Sequence, residues 1–385
     1  MLFIMGPRQV GKTTTCRGIC SESGNNRYFN WDNQNDRQLI LRGPEHIATA
    51  MGLDRQLEEN PIAVFDELHK YGRWKGFLKG WFDTYEAEVR TLVTGSARLD
   101  VYKAGGDSLM GRYFSYRMHP LSIAELLDPT AAPASLYRRP KKIDNDLFDS
   151  LFRYGGFPEP LIRQETSFHR RWQKLRSQQL LREDLRDLTR IQELGQVEVL
   201  ARLIQQRCGQ LTSYSSLASQ LNASVNSVKR WLDTLQSLYY CFAIRPWFKN
   251  VTRSLRKEPI YFLWDWSELS DQGARAENFI ASALLKAVHY WTDAGLGEFD
   301  LHFLRDKQKH EVDFLVSRDG NPWFLVEAKY SGKAKLSDNL SYFQQQLKVR
   351  HAFQAAIDLP WVEQDCFELQ RPKIVSARTL LSQLV

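Results

Sequence analysis

Hydrophobic positions change their period twice along the chain. In the first third, short unbroken apolar runs end in polar turns: Leu2-Phe3-Ile4-Met5, Pro61-Ile62-Ala63-Val64-Phe65 and Thr91-Leu92-Val93-Thr94, with Tyr113–Met118 as a further run. Runs of this length suit buried strands. From Asn145 to about Ile244 the pattern is helical. Within it Ser215–Leu221 reads as a helix and Asn222-Ala223 as a turn. Ser224 would cap a second helix that turns Val228, Trp231, Leu232 and Leu235 inward. That is a helix-turn-helix, with strands expected over Tyr239–Phe248 to make it winged. Beyond residue 260 strands return: Tyr261–Asp265, Leu301–Arg305, Glu311–Ser317 and Pro322–Tyr330, with Arg318-Asp319-Gly320-Asn321 as a hairpin turn and an amphipathic helix from Glu277 to Tyr290. The breaker-rich stretch Asp128–Ser135 marks a linker. The expected architecture is α/β and multidomain, with domains over 1–130, 131–255 and 256–385.

The first apolar run is followed by Gly6-Pro7-Arg8-Gln9-Val10-Gly11-Lys12-Thr13, the full pattern G-x-x-x-x-G-K-[ST]. A strand before it and a helix start from Thr13 after it are the context a phosphate-binding loop requires. The glycines let successive N–H groups face one point, where the positive end of the helix adds to the attraction for phosphate. Lys12 would reach the β- and γ-phosphates of ATP, and the hydroxyl of Thr13, followed by Thr14, would bind Mg²⁺. The second run ends in Asp66-Glu67. There Asp66 would hold the Mg²⁺ through water and Glu67 would polarise the attacking water. The third run ends in Thr94-Gly95-Ser96, where Thr94 or Ser96 can bond the γ-phosphate or the water. Arg112 can add positive charge at the transferring group, from this subunit or from a neighbouring copy in a homo-oligomer. A surface arginine would look the same.

The net charge of +7 is uneven. Residues 131–260 carry 22 basic and 12 acidic groups, whereas residues 1–130 balance at 16 of each. Much of the excess lies in Arg138-Arg139-Pro140-Lys141-Lys142 and between Arg163 and Arg190. A basic helical stripe suits the phosphate backbone of DNA, and it equally describes a solvated helix surface. On the second helix of the helix-turn-helix, Asn226, Ser227, Lys229 and Arg230 would point outward, where a recognition helix reads DNA. No apolar run is long enough for a membrane span, and Met1 leads into no signal peptide, so a cytoplasmic protein is expected. The five cysteines are scattered, as free core thiols in a reducing compartment would be.

GPRQVGKTT, FDELHK with KGFLKGWFD, LVTGSA and GRYFSYRMHPLSIAEL together resemble the prokaryotic AAA-type ATPases that carry a C-terminal domain of unknown function. Tyr154-Gly155-Gly156-Phe157-Pro158-Glu159, Arg275-Ala276-Glu277-Asn278-Phe279, Glu311-Val312-Asp313-Phe314 and Val326-Glu327-Ala328-Lys329 extend the likeness over nearly the whole chain. The resemblance implies ATP and Mg²⁺ as cofactors. Family members usually carry a short helical segment before the first strand, whereas this chain begins on that strand; any adenine contacts from such a segment would be missing.

Glu277 on a helix, Asp313 on one strand and Glu327-x-Lys329 on the next also resemble the PD-(D/E)XK nuclease core. Asp313 and Glu327 would converge on a metal, with Glu277 completing its shell. Lys329, on the same strand face as Glu327, would orient water or stabilise the charged phosphorane. The same residues can instead form a carboxylate–lysine network that cuts nothing. Three functions follow: ATP hydrolysis coupled to DNA engagement, with or without cleavage; a nucleotide-dependent switch that exposes a surface to a protein partner; and ATP-sensitive transcription control through the helix-turn-helix.

Overall fold

The computed structural model describes residues 1–22, 24–55, 58–95, 109–129, 135–185, 193–248 and 258–385. They form two compact units, Met1–His119 and Pro120–Val385.

The first unit is a parallel sheet of β1 (Leu2–Met5), β2 (Arg27–Asn30), β3 (Ile62–Asp66), β4 (Arg90–Gly95) and β5 (Phe114–Arg117), in the order β2-β3-β4-β1-β5. Alternation along the strands divides its core. Val64 and Leu92 meet Cys16 of α1 (Lys12–Ser21) on one face. Phe3, Phe65 and Val93 face the opposite way, into a cluster with Ile40 of α2 (Gln34–Arg42), Ile47 of α3 (Pro44–Met51) and Phe77 and Trp81 of α4 (Trp74–Tyr85). Covering both faces is what a parallel sheet demands. β4 lies between the strand that precedes the glycine loop and the strand that ends in Asp66. The carboxyl ends of all three therefore open at one edge, the usual ligand position in such sheets.

The second unit begins with α5 (Ile123–Leu127), whose N-terminus is closed by a reciprocal capping box between Ser122 and Glu125. Helices α6 (Asn145–Tyr154), α7 (Pro158–Arg163), α8 (Thr166–Gln178), α9 (Leu194–Gln206), α10 (Tyr214–Gln220) and α11 (Val225–Ser237) follow. A six-residue π-turn, Gln179–Asp184, continues α8. β6 (Cys241–Pro246), β7 (Ile260–Leu263), α12 (Gln272–Asp293), β8 (Phe299–Arg305), β9 (Glu311–Arg318), β10 (Asn321–Lys329), α13 (Asp338–Leu347), β11 (His351–Ala356), β12 (Lys373–Ser376) and α14 (Ala377–Ser382) complete it. Seven strands make one sheet, β12-β11-β10-β9-β8-β6-β7. Asp319 and Gly320, both at positive φ, make the tight turn from β9 to β10.

Ser224 caps α11 by accepting the N–H of Ser227 at 3.0 Å, and Val228, Trp231, Leu232 and Leu235 are buried. Asn226, Lys229 and Arg230 are exposed. Of the expected strands over 239–248, β6 forms; it pairs antiparallel with β7 and joins the large sheet through β8. The connection over 249–257 lies outside the described residues, as do 130–134 of the expected linker and 186–190 of the basic stretch. Arg176 departs from the picture of a basic helical surface. It is buried, pairs with Glu268 at 3.5 Å and stacks over Phe157 and Trp172. Aromatic faces and a carboxylate make its burial tolerable.

Asn278 of α12, fully buried, ties helix to strand. Its Nδ2 donates to the carbonyl of Leu263 and its Oδ1 accepts the Leu263 N–H, both at 2.8 Å; it also accepts from the Cys208 thiol at 3.0 Å. The N–H groups of Gly209 and Thr212 bond the carbonyls of Tyr261 and Pro259 on the same strand segment. Replacing Asn278 by Ala would strand both polar groups of Leu263. Asn278→Ala is expected to destabilise the second unit by about 2–5 kcal/mol, with the transition of the first unit unmoved when unfolding is followed by hydrogen exchange.

Candidate functional site

Residues 6–11 span from β1 to α1. A Cβ on Gly6 would lie 2.3 Å from the carbonyl oxygen of Met118, so only glycine fits this close approach. Gly11, at φ 107°, caps α1 in a backbone region that favours glycine. Pro7 and Val10 are buried beneath the loop, Arg8 is half-buried, and Gln9 and Thr14 are exposed. Lys12 is only 6 % exposed. Its ammonium donates to the carbonyls of Gly6 at 2.8 Å and Pro7 at 2.6 Å. Burial pushes its pKa down to about 8, against the pull of Glu67 and Asp66.

Asp66 is the hub of this site. Oδ2 accepts from the hydroxyl of Thr13 at 2.8 Å and from that of Tyr28, while Oδ1 accepts from that of Thr94. Burial alone would raise the carboxyl; the three hydroxyls and Lys12 outweigh it and hold Asp66 below the usual range. The structure thus brings Lys12, Thr13, Asp66 and Thr94 together. Glu67, at φ 55°, turns away from its strand and meets Lys70 at 3.2 Å; Lys70 also holds Asp32 at 2.6 Å. Arg112 forms a two-point pair with Asp83, at 2.7 and 3.1 Å, on the surface. Ser96 lies outside the described residues. Tyr28 and Lys70 join the site without having been expected from the sequence. The signal for Tyr28 was the Arg27–Asn30 strand, whose place beside Asp66 depends on strand order. Lys70 lies three residues after Glu67 across a short 3-10 turn.

A second cluster lies in the second unit. Glu277 on α12, Asp313 on β9 and Glu327 and Lys329 on β10 are close enough for their charges to act on one another. Lys329 Nζ donates to Glu327 Oε1, and the Ala328 N–H to Asp313 Oδ2, both at 2.8 Å. Burial, reinforced by Glu327, raises Asp313 to about 7; burial, reinforced by Asp313, lifts Glu277 well above the carboxylate range. Glu327 Oε2 is buried and has no hydrogen-bond partner. An orphaned carboxylate oxygen among acids suits a hard cation. As placed, however, no three His, Cys, Asp or Glu side chains among the described residues are arranged to hold a metal ion. Glu311, which the sequence reading left out, adds charge here while paired with Arg305 at 2.6 Å.

The loop, its lysine and the hydroxyl-bound aspartate at the sheet edge have a counterpart among known families. Residues 1–127 match the family model of an AAA domain. Residues 145–270 and 272–361 match two further models, each a domain of unknown function (DUF8612 and DUF4143). Over 338 residues the chain is 23% identical to uncharacterized proteins of Mycobacterium tuberculosis and Mycobacterium bovis, an alignment covering 84% of this chain and 69% of each relative. Among solved structures it aligns with a RuvB variant of Thermotoga maritima at 15% identity and TM-score 0.28, covering 63% of this chain and 80% of that one. PCH-2 of C. elegans aligns at 14% identity and TM-score 0.24, covering 60% of each chain. Among the described residues no helix is long and apolar enough to cross a membrane.

Two outcomes follow from the buried ammonium. A ligand phosphate gives Lys12 a partner, so ATP or ADP at a hundredfold excess over Kd should stabilise the wild-type first unit by about 2.7 kcal/mol, and Lys12→Ala by nothing measurable. Between pH 8 and the ordinary lysine range the unfolded chain keeps a proton that the folded chain has released. Stability attributable to Lys12 therefore rises with pH in that window, and the slope should flatten in Lys12→Ala in denaturant melts.

Proposed function

We propose that the protein binds and hydrolyses ATP. The observation that carries this reading is the Asp66 carboxylate, held by the hydroxyl of Thr13 in the first turn of α1 and by Thr94 from the intervening strand. ATP with Mg²⁺ would supply the phosphoryl group and the charge that polarises it. Residues 6–14 would surround the phosphates. Lys12 would exchange its two loop carbonyls for phosphate oxygens, and Thr13 and Asp66 would turn from each other to the metal. Thr94, released from Asp66, would bond the γ-phosphate or the water. Glu67 would accept the proton of the attacking water once it lets go of Lys70. Arg112 would act by leaving Asp83, or from a second copy of the chain.

Glu67→Gln should retain nucleotide affinity and slow hydrolysis by about 10²–10⁴. Equal rates in wild type and variant would remove Glu67 from the chemistry and favour a nucleotide-dependent switch acting on a protein partner.

A second reading, DNA engagement with metal-dependent cleavage, is favoured by the unpartnered Glu327 Oε2 among Glu277, Asp313 and Lys329. Glu277, Asp313 and Glu327 would hold the cation, which would supply an activated water, and Lys329 would stabilise the developing phosphorane charge. Arg139, Lys141 and Lys142, exposed beside the half-buried Arg138, would contact the DNA backbone. Mg²⁺ or Mn²⁺ should raise the melting temperature of wild type but not of Asp313→Ala, and only wild type should nick plasmid DNA. Metal that neither stabilises nor permits nicking would leave this cluster an inert network.

A further inference from the structure

Two cavities in the second unit share a wall made by Arg153 of α6 and Arg275 of α12. Both residues belong to or adjoin sequence segments, 154–159 and 275–279, to which neither the ATPase nor the nuclease reading assigns a role, Glu277 aside. The first cavity, about 360 Å³, adds Arg170 from the exposed face of α8. Its floor is a fixed polar array. His169 Nε2 lies 2.9 Å from Ser267 Oγ, Gln173 donates to the same oxygen at 3.0 Å, and Ser267 donates to Asp265 Oδ1 at 2.5 Å. Gly155, at φ 83°, is required beneath it, since a Cβ there would stand 2.8 Å from Asp265 Oδ1.

The guanidiniums are positioned but not used up. Arg275 spends Nε and one terminal nitrogen on the Leu269 carbonyl, and Arg153 one nitrogen on the Thr166 hydroxyl at 3.0 Å. Arg170 has no ion pair among the described residues. Of the acids nearby, Glu268 faces Arg176, and Asp265 receives Ser267 on Oδ1 while its buried Oδ2 has no hydrogen-bond partner. Three arginines against Asp265, with His169 kept neutral by burial, leave the concavity positive. Planar forks of this kind match the oxygens of a phosphate monoester.

The second cavity, about 410 Å³, has a different lining. Phe152, Tyr330 and Ile357 give it an apolar part beside the polar Gln272 and Asp358, and Arg378, stacked on Phe148 at 4.0 Å and paired with Asp149 at 2.9 Å, closes one side. Flat rings and guanidinium planes are surfaces on which a nucleobase stacks.

We propose that these adjoining cavities bind a nucleotide unit, with its phosphate among Arg153, Arg170 and Arg275 and its base against Tyr330. The unit is either a free mononucleotide or the 5′-phosphorylated end of a strand. The site lies wholly in the second unit and does not rest on the ATPase reading.

The test uses the full chain carrying Lys12→Ala, which silences the phosphate loop. Binding of 2′-deoxyadenosine 5′-monophosphate and of a short 5′-phosphorylated oligonucleotide is measured by calorimetry, beside deoxyadenosine and the 5′-hydroxyl oligonucleotide. At least one phosphorylated probe should saturate the protein one to one, and its unphosphorylated twin should bind at least about tenfold more weakly. Arg170→Glu, at an exposed position, should keep the melting temperature and weaken the phosphorylated probe by a similar factor; Tyr330→Ala should weaken it too, while leaving competition by inorganic phosphate intact. Saturation by the mononucleotide alone identifies a free nucleotide, and by the oligonucleotide a strand end. No saturable binding of either probe, or affinity that ignores both the 5′-phosphate and Arg170→Glu, overturns the proposal.

Discussion

The ammonium of Lys12 is withdrawn from water and held directly by two carbonyl oxygens of its own loop. Carbonyl dipoles stabilise such a charge less than an anion does, and burial lowers the pKa of Lys12 despite the nearby Glu67 and Asp66. The same constraint orders the rest of the chain. Arg176 is acceptable inside because Glu268 and two aromatic faces meet it. Lys286 of α12 lies buried against Glu125 and the carbonyl of Pro120, and so fastens the start of the second unit to its central helix. Around Glu277, Asp313 and Glu327 the matching is incomplete: Glu327 Oε2 has no hydrogen-bond partner, and burial makes the Glu277 and Asp313 carboxyls hold their protons to unusually high pH. At Lys12 and in this acid cluster, unlike at Arg176 and Lys286, an imperfectly matched charge is where a ligand has most to contribute.

Interactions close in sequence were legible before the structure; those that depend on strand order were not. The glycine loop, Lys12 and the acid pair Asp66-Glu67 each declare themselves within eight residues, because strand, turn and helix follow one another directly. Tyr28 could not be found that way. It reaches Asp66 only because β2 is the strand next to β3, a fact of sheet order. Asp83 likewise lies far in sequence from Arg112, and nothing local announces their pairing. Counting charges misplaced Arg176, since composition cannot distinguish an arginine on a solvated face from one sandwiched between Phe157, Trp172 and Glu268. The helical period over 145–244 was real, yet it hid the membership of β6 in a sheet whose other strands lie beyond residue 259.

Asn278 and the segment around Gly209 have a consequence for how the protein behaves among its own copies. β7 ends the seven-stranded sheet. The backbone groups of Pro259, Tyr261 and Leu263 would form an open row there, able to recruit a foreign strand. Instead Gly209, Thr212 and the Asn278 amide occupy that row, the amide imitating one peptide unit of a missing neighbour. A side chain from a helix thus guards the sheet against edge-to-edge association. At high concentration or during synthesis, the order in which α12 and β7 meet decides whether that edge is first offered to its own helix or to another molecule.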